Sequence, residues 1–311
     1  MAFTNASGYQ NLAQGNFTPQ IFSQKVQKFF RRASVVEDIT NTDYAGEIEN
    51  FGDTVKIIKE PTITVKDYAR GQTVDTQVLA DDQITMTVDQ GSYFAFKVDD
   101  IEERQSHVNF EALATSSGAY SLKKNYDYNV LKFIYDNASD GTGAGTDASP
   151  IDGDAAVDTL ANLVSTAKKN LDRNDVPEEN RWLVSSPEFF EQLRKAGAKL
   201  SDQSVMADGG ASQIRNGMVT AKPLFGFNMY STNAIAVSSG SAASHTFGSS
   251  GSNEFAFLYG HMSGVATVNH IAKTELIRDP DSFADVVRGL HVYGRKILRS
   301  EAVRSGVITI G

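Results

Sequence analysis

The segment from Gly52 to Arg104 constrains this chain more than any other. Its outgoing arm runs from Thr54 to Val65. Its return arm runs from Ile84 to Val88 and again from Tyr93 to Val98. Between them lies a polar tip, Lys66 to Gln83, containing Arg70-Gly71 and Asp81-Asp82. Both arms are rich in β-branched and aromatic residues and partly alternate, as half-buried strands do. The pattern predicts one long two-stranded ribbon with nothing local to bury it. Such a ribbon is marginal alone in water, and its open edges invite pairing. A ribbon of this length outreaches a compact core, so its expected cover is another copy of the chain.

The remaining sequence divides around this ribbon. Residues 1–17 are polar and rich in Asn, Gln and Gly, which suits an arm rather than a domain. Thr18 is a good N-cap and Pro19 fits the first helical position. Phe22, Val26, Phe29, Phe30 and Ala33 then repeat at helical spacing. Lys25, Lys28, Arg31 and Arg32 lie mostly off that stripe. Residues 1–34 contain those four basic residues and no acid, whereas the whole chain carries −9. After the ribbon, Asp99-Asp100-Ile101-Glu102-Glu103-Arg104 leads to a helix predicted over about residues 109–137. Phe110, Leu113, Tyr120, Tyr128, Leu131, Ile134 and Tyr135 outline its buried side. Small and turn-forming residues from Ser139 to Pro150 mark a boundary.

A compact α/β region is predicted beyond it. Val157, Leu160, Ala161, Val164 and Leu171 form a helical stripe, and Arg181–Ser185 reads as a strand. Ser186-Pro187 opens a short helix bearing Phe189, Phe190 and Leu193. Loops are expected over 201–217 and over the low-complexity run 238–252. Further strands are expected at 225–230, 254–259, 264–272, 285–298 and 303–310.

Catalytic signatures are absent from the sequence. No Gly-x-Ser-x-Gly elbow occurs, and Ser185 and Ser186 fit a helix cap better than a nucleophile. The run Gly141-Thr-Gly143-Ala-Gly145 lacks the lysine and flanking strand of a phosphate loop. None of the five histidines forms a metal-binding helix pair. Asp279-Pro280-Asp281, like the other paired acids, lacks the further ligands of a calcium loop. With no cysteine, disulfides, thiolate metal sites and cysteine nucleophiles are excluded. No apolar run is long enough to cross a bilayer, and no signal-peptide pattern opens the chain. Neither a catalytic residue, a metal, a cofactor nor a membrane partner is therefore expected.

Taken in order, a polar arm, an amphipathic helix, a long extended loop, a long helix, a central α/β region and a strand-rich end resemble the tailed-phage major capsid proteins of the Hong Kong 97-type fold. The most telling stretches are Gly52-Asp-Thr-Val-Lys-Ile57, Val65-Lys-Asp-Tyr68 and Tyr93 through Gln105. Ala284-Asp-Val-Val-Arg-Gly289, Tyr293-Gly294 and Lys296 to Val303 complete the likeness.

The resemblance implies an α+β capsid fold. Residues 1–34 would be the N-terminal arm, and 35–149 a peripheral domain holding the extended loop (about 52–104) and a spine helix (about 109–137). An axial domain would span 150–270, with 271–311 returning as strands to the peripheral domain. Hexamers and pentamers of such subunits would tile an icosahedral virion shell around double-stranded DNA, assembled in the host cytoplasm. A separate scaffolding protein, a portal protein and a decoration protein are the further partners it implies. Residues expected at subunit contacts are Phe22, Lys25, Lys28, Arg31, Arg32, Arg70, Asp81, Asp82, Asp99, Glu102, Glu103 and Arg104. One alternative is an encapsulin-type shell around enzyme cargo. A remoter one is a hydrolase built on the α/β region, and another is a different self-assembling phage protein such as a tail tube subunit.

Overall fold

A computed structural model describes residues 34–44, 54–61, 63–74, 76–78, 83–99, 110–146, 149–153, 155, 159–196, 225–235, 254–280 and 282–310. The helix expected at 18–33 and the loops expected at 201–217 and 238–252 lie outside these residues.

The central layer is a six-stranded mixed sheet. It contains β4 (Ser139–Asp140), β5 (Ile151–Asp152), β6 (Arg181–Ser185), β7 (Phe227–Ser231), β8 (Glu254–His261) and β11 (Val303–Thr309). Their order is β4-β11-β8-β6-β7, with β5 also paired to β11. Every residue of β6 is buried, as a continuous apolar strand between two layers requires. Alternation sends Trp182 and Val184 into one core and Leu183 into the other. On β8 the same rule separates Ala256 and Leu258 from Phe257 and Tyr259.

Helices close both faces of this sheet. On one side lie α3 (Thr159–Asp172) and α4 (Pro187–Ala196), which contribute Leu160, Val164, Leu171, Phe189 and Leu193. The hydroxyl of Ser186 accepts a hydrogen bond from the amide of Phe189 at 3.4 Å, opening α4. On the other side lie α1 (Val36–Ile39) and the long α2 (Phe110–Asn137). No described helix is long and apolar enough to cross a membrane.

A second sheet contains β3 (Gln90–Asp99), β9 (Val265–Arg278) and β10 (Ala284–Ile297), in the order β3-β10-β9. All of its neighbours are antiparallel. One face turns Phe94, Phe96, Val287 and Tyr293 toward α2. Phe94 fits there because Gly289 lies opposite it across the strands and Gly118 faces it from α2. The C-terminal half of α2 buries Tyr126, Val130, Leu131, Ile134 and Tyr135. Leu131, Ile134 and Tyr135 agree with the sequence stripe, whereas Tyr126 and Val130 were not in it. Arg295 of β10 lies 4.8 Å from the Phe133 ring and donates to the Asn129 carbonyl, tying strand to helix.

The ribbon differs from its expected form. Strands β1 (Thr54–Ile58) and β2 (Gln83–Thr87) pair antiparallel over five residue pairs, Thr54 with Thr87 through Ile58 with Gln83. Past Ile58, the described outgoing residues form no strand. The second half of the return arm leaves the ribbon as β3 and pairs with β10. Its Phe94 and Phe96 face a helix, which gains them more burial than a two-stranded ribbon would offer. The base of the ribbon is also buried locally. Val55, Met86 and Val88 pack against Ala266, Val268 and Val292, on the sheet face turned away from α2.

The last strand also departs from expectation. β11 joins the six-stranded sheet between β8 and β4/β5, rather than lying with β9 and β10. Val303, Val307 and Ile308 are buried, so the strand needs cover on both faces. Gly306 permits the position, because a Cβ there would lie 2.4 Å from the Phe257 ring.

Candidate subunit interface

Residues 59–61, 63–74 and 76–78 run outward from the β1–β2 clasp without forming strand or helix. Their backbone is nonetheless ordered at two points. Thr64 N donates to the side-chain oxygen of Gln77 at 3.0 Å, linking the two sides of the loop. At the tip, Gln72 N donates to Ala69 O at 3.0 Å, and Ala69 N donates to Gln72 Oε1 at 3.2 Å. Gly71 has φ +88°, the left-handed value that a type II turn demands at its third position. Arg70 therefore stands exposed at the apex of a defined turn.

The chemistry of this loop is wrong for a free surface. Ile63, Val65, Tyr68, Val74 and Val78 are all strongly exposed, Val65 and Val78 at 91%. Scattered exposed apolar residues are ordinary, but five on a single segment is a concentration that a monomer's surface rarely carries. A second apolar set lies on the three-stranded sheet, at Tyr93, Leu276, Ile277 and Leu290, and on the β9–β10 connection, at Phe283. Sequence reasoning missed it, although Tyr93 beside Phe94 already placed aromatic side chains on both faces of one strand.

Charged groups frame that sheet. Arg288 donates through Nε and Nη2 to Glu275 Oε2, at 3.0 and 2.7 Å, and Lys273 also pairs with Glu275. Those hydrogen bonds, the Lys273 one foremost, hold the Glu275 carboxyl below its ordinary pKa. Lys97 pairs with Asp279, which also accepts from Ser282 Oγ at 2.7 Å. Arg278 pairs with Asp285 at 3.1 Å. Exposed pairs of this kind are screened by water and fix register rather than strength.

Of the residues expected at subunit contacts, Arg70 lies on the exposed turn and Asp99 ends β3 opposite Ala284. Phe22, Lys25, Lys28, Arg31, Arg32, Asp81, Asp82, Glu102, Glu103 and Arg104 lie outside the described residues.

The groups weighed for catalysis have structural tasks. Ser185 Oγ donates to Ala256 O at 3.3 Å from a fully buried position, and Ser186 caps α4. His261 Nδ1 accepts from Ser263 N at 3.1 Å, and burial lowers the proton affinity of its ring. Asp279 is engaged by Lys97 and Ser282.

Comparison with known proteins gives a consistent answer. The family model described as phage capsid protein matches residues 81–305. A solved chain of Mycobacterium phage Che8 is 28% identical with a TM-score of 0.78, covering 94% of this chain and 98% of that one. The capsid structure of cyanophage P-SCSP1u is 18% identical with a TM-score of 0.69, covering 95% of this chain and 94% of that one. The head structure of Helicobacter pylori bacteriophage KHP40 is 10% identical with a TM-score of 0.67, covering 99% and 100%. No curated protein sequence matches the chain. The latter two likenesses bear on the fold alone, whereas the family match spans most of the sequence. The protein thus belongs to the phage capsid protein family and is a tailed-phage major capsid protein of the Hong Kong 97-type fold.

Proposed function

We propose that this capsid protein assembles through hexamers and pentamers into an icosahedral shell that encloses double-stranded DNA. The carrying observation is the loop between β1 and β2, whose apolar side chains project where its own subunit offers no core. A neighbouring copy supplies the missing cover. Each such contact is of modest area and reversible alone, so misplaced subunits dissociate while a closed shell sums many contacts. Scaffolding, portal and decoration proteins complete this reading as partners encoded beside the chain.

Electron microscopy of the purified chain, expressed with and without its genomic neighbours, tests the proposal. Closed shells bearing hexamer–pentamer lattices and nuclease-protected double-stranded DNA are expected. Shells filled with a co-purifying enzyme and no DNA would overturn the cargo assignment. Deleting residues 67–82 should leave a folded, soluble protein that forms no closed shells. Normal particles from that deletion would refute the role given to the loop.

A further inference from the structure

The seam between α2 and the three-stranded sheet contains a histidine at its centre. His291 lies on β10, two residues before Tyr293 and on the same face of the strand. The two rings stack, with centroids 5.2 Å apart and planes 28° from parallel. Tyr126 of α2 meets both edge-on, at 5.3 Å from His291 and 4.9 Å from Tyr293. One tyrosine of the helix is thus seated on an imidazole and a phenol of the sheet. Two further contacts pin this stretch of helix: Asn125 Nδ2 donates to Ser92 Oγ of β3 at 2.9 Å, and Ser34 Oγ donates to Asp127 at 2.6 Å.

We propose that His291 makes this seam an acid-sensitive joint, whose helix loosens from the three-stranded sheet when the imidazole takes up a proton. The surroundings support a neutral ring. From α2 the titratable group in contact is Tyr126, whose phenol burial pushes up to about 12. From β10 it is Tyr293, also raised chiefly by burial. The cross-strand partners on β3 and β9 are Ser92 and Ala272, neither of which titrates. Charged groups nearby are engaged elsewhere: Lys123 pairs with Glu37, Arg288 with Glu275, and Arg295 with the Asn129 carbonyl. The acids nearby act on the neighbouring phenols, Glu37 and Asp127 on Tyr126 and Asp89 on Tyr293, and burial is the one influence resolved on the imidazole itself.

Burial alone lowers the affinity of His291 for a proton below the ordinary 6.5. The folded state therefore binds fewer protons than the unfolded one near that value. The stability contributed by the neutral ring is complete above about pH 6.5 and declines as the pH falls toward the lowered pKa. The core between the six-stranded sheet and α3 and α4 is built from aliphatic and aromatic residues, and no histidine is among its described buried residues. Its amides serve as an internal reference.

Hydrogen exchange on the full-length protein at pH 7.5 and 5.5, corrected for intrinsic exchange, tests the joint. Amides of α2 from 119 to 137 should lose protection at the lower pH, the sign that a proton affinity lowered by burial requires. Amides of α3 and α4 should change little. His291→Phe should abolish the acid response while keeping the ring stack, and His291→Gln serves if that variant fails to fold. Protection of α2 that is independent of pH would overturn the proposal. So would an undiminished acid response in both variants, which would place the titrating group elsewhere, His261 being the other half-buried imidazole among the described residues.

Discussion

Gly289→Ala tests the packing of the helix on the three-stranded sheet most directly. A Cβ at residue 289 would lie 2.3 Å from Phe94 Cε1 and 2.7 Å from Cζ, where carbon contacts are normally about 3.5–4.0 Å. An aromatic ring at a strand edge could swing away cheaply. Phe94 cannot, because its opposite side meets Gly118, where a Cβ would come within 2.9 Å of the same ring. Either the ring leaves its rotamer or α2 rises from the sheet. Overpacking of this kind costs about 1–3 kcal/mol. Alanine recovers about 0.4–1 kcal/mol by restricting the unfolded chain, since residue 289 needs no positive φ. The two ranges leave a net loss of about 0–2.6 kcal/mol, and the clamping of the ring from both sides places it in the upper half. Denaturant titration of dissociated subunits, followed through the single tryptophan, Trp182, reads it as a lowered midpoint at unchanged slope. In a Phe94→Ala background the added Gly289→Ala should be nearly neutral. If Gly289→Ala is as stable as the parent, or if the two losses simply add, the clamp on Phe94 is not real.

Two further substitutions probe the central sheet. Arg181 is 1% exposed and donates to Asp172, to Pro177 O and to Val176 O, bracing a connection that holds Asp175 and Asn180 at positive φ. Arg181→Ala should cost about 2–3 kcal/mol in the same titration, since each orphaned buried group costs about 1–3 kcal/mol and Pro177 regains water. Asn170 Nδ2 donates to Thr142 O and to Tyr259 OH, both at 3.0 Å. Asn170→Ala should cost about 1–3 kcal/mol by stranding both acceptors. Adding Tyr259→Phe to that variant should recover part of the loss, and a measurement showing no recovery would mean the phenol finds another partner.

Much of this fold was legible because period and burial agree. The β6 run Arg181–Ser185 is apolar enough to require a layer on each face, and it has one. The helix expected over about 109–137 appears as Phe110–Asn137, and Ser186-Pro187 begins α4 as its capping residues suggest. Strand partners were harder to read. Tyr93–Val98 alternates equally well in a free ribbon or in a sheet, and only its long-range pairing with β10 decides between them. β11 likewise shows a strand period but not its destination, which depends on the room that Gly306 leaves for Phe257. At the candidate interface, the polar tip drew attention to charges such as Arg70. The larger signal is the apolar set Ile63, Val65, Tyr68, Val74 and Val78, all of it exposed on the segment outside the clasp.

Helix α2 belongs to both sheets at once. Its first half lies on β3 and its second half completes the core under β6, β8 and β11. With 28 residues it extends about 42 Å. Mechanically it is a beam with two bearings of different kind. At one end aliphatic side chains interlock on a broad sheet. At the other, contact passes through Phe94, Tyr126 and a few polar bonds. A load across such a subunit is carried along the helix by its own backbone hydrogen bonds, which resist stretching together. Yielding then begins at the aromatic bearing, which has fewer side chains to part than the interlocked core. The wall that these subunits build would give at many such bearings by small amounts before any one subunit unfolds.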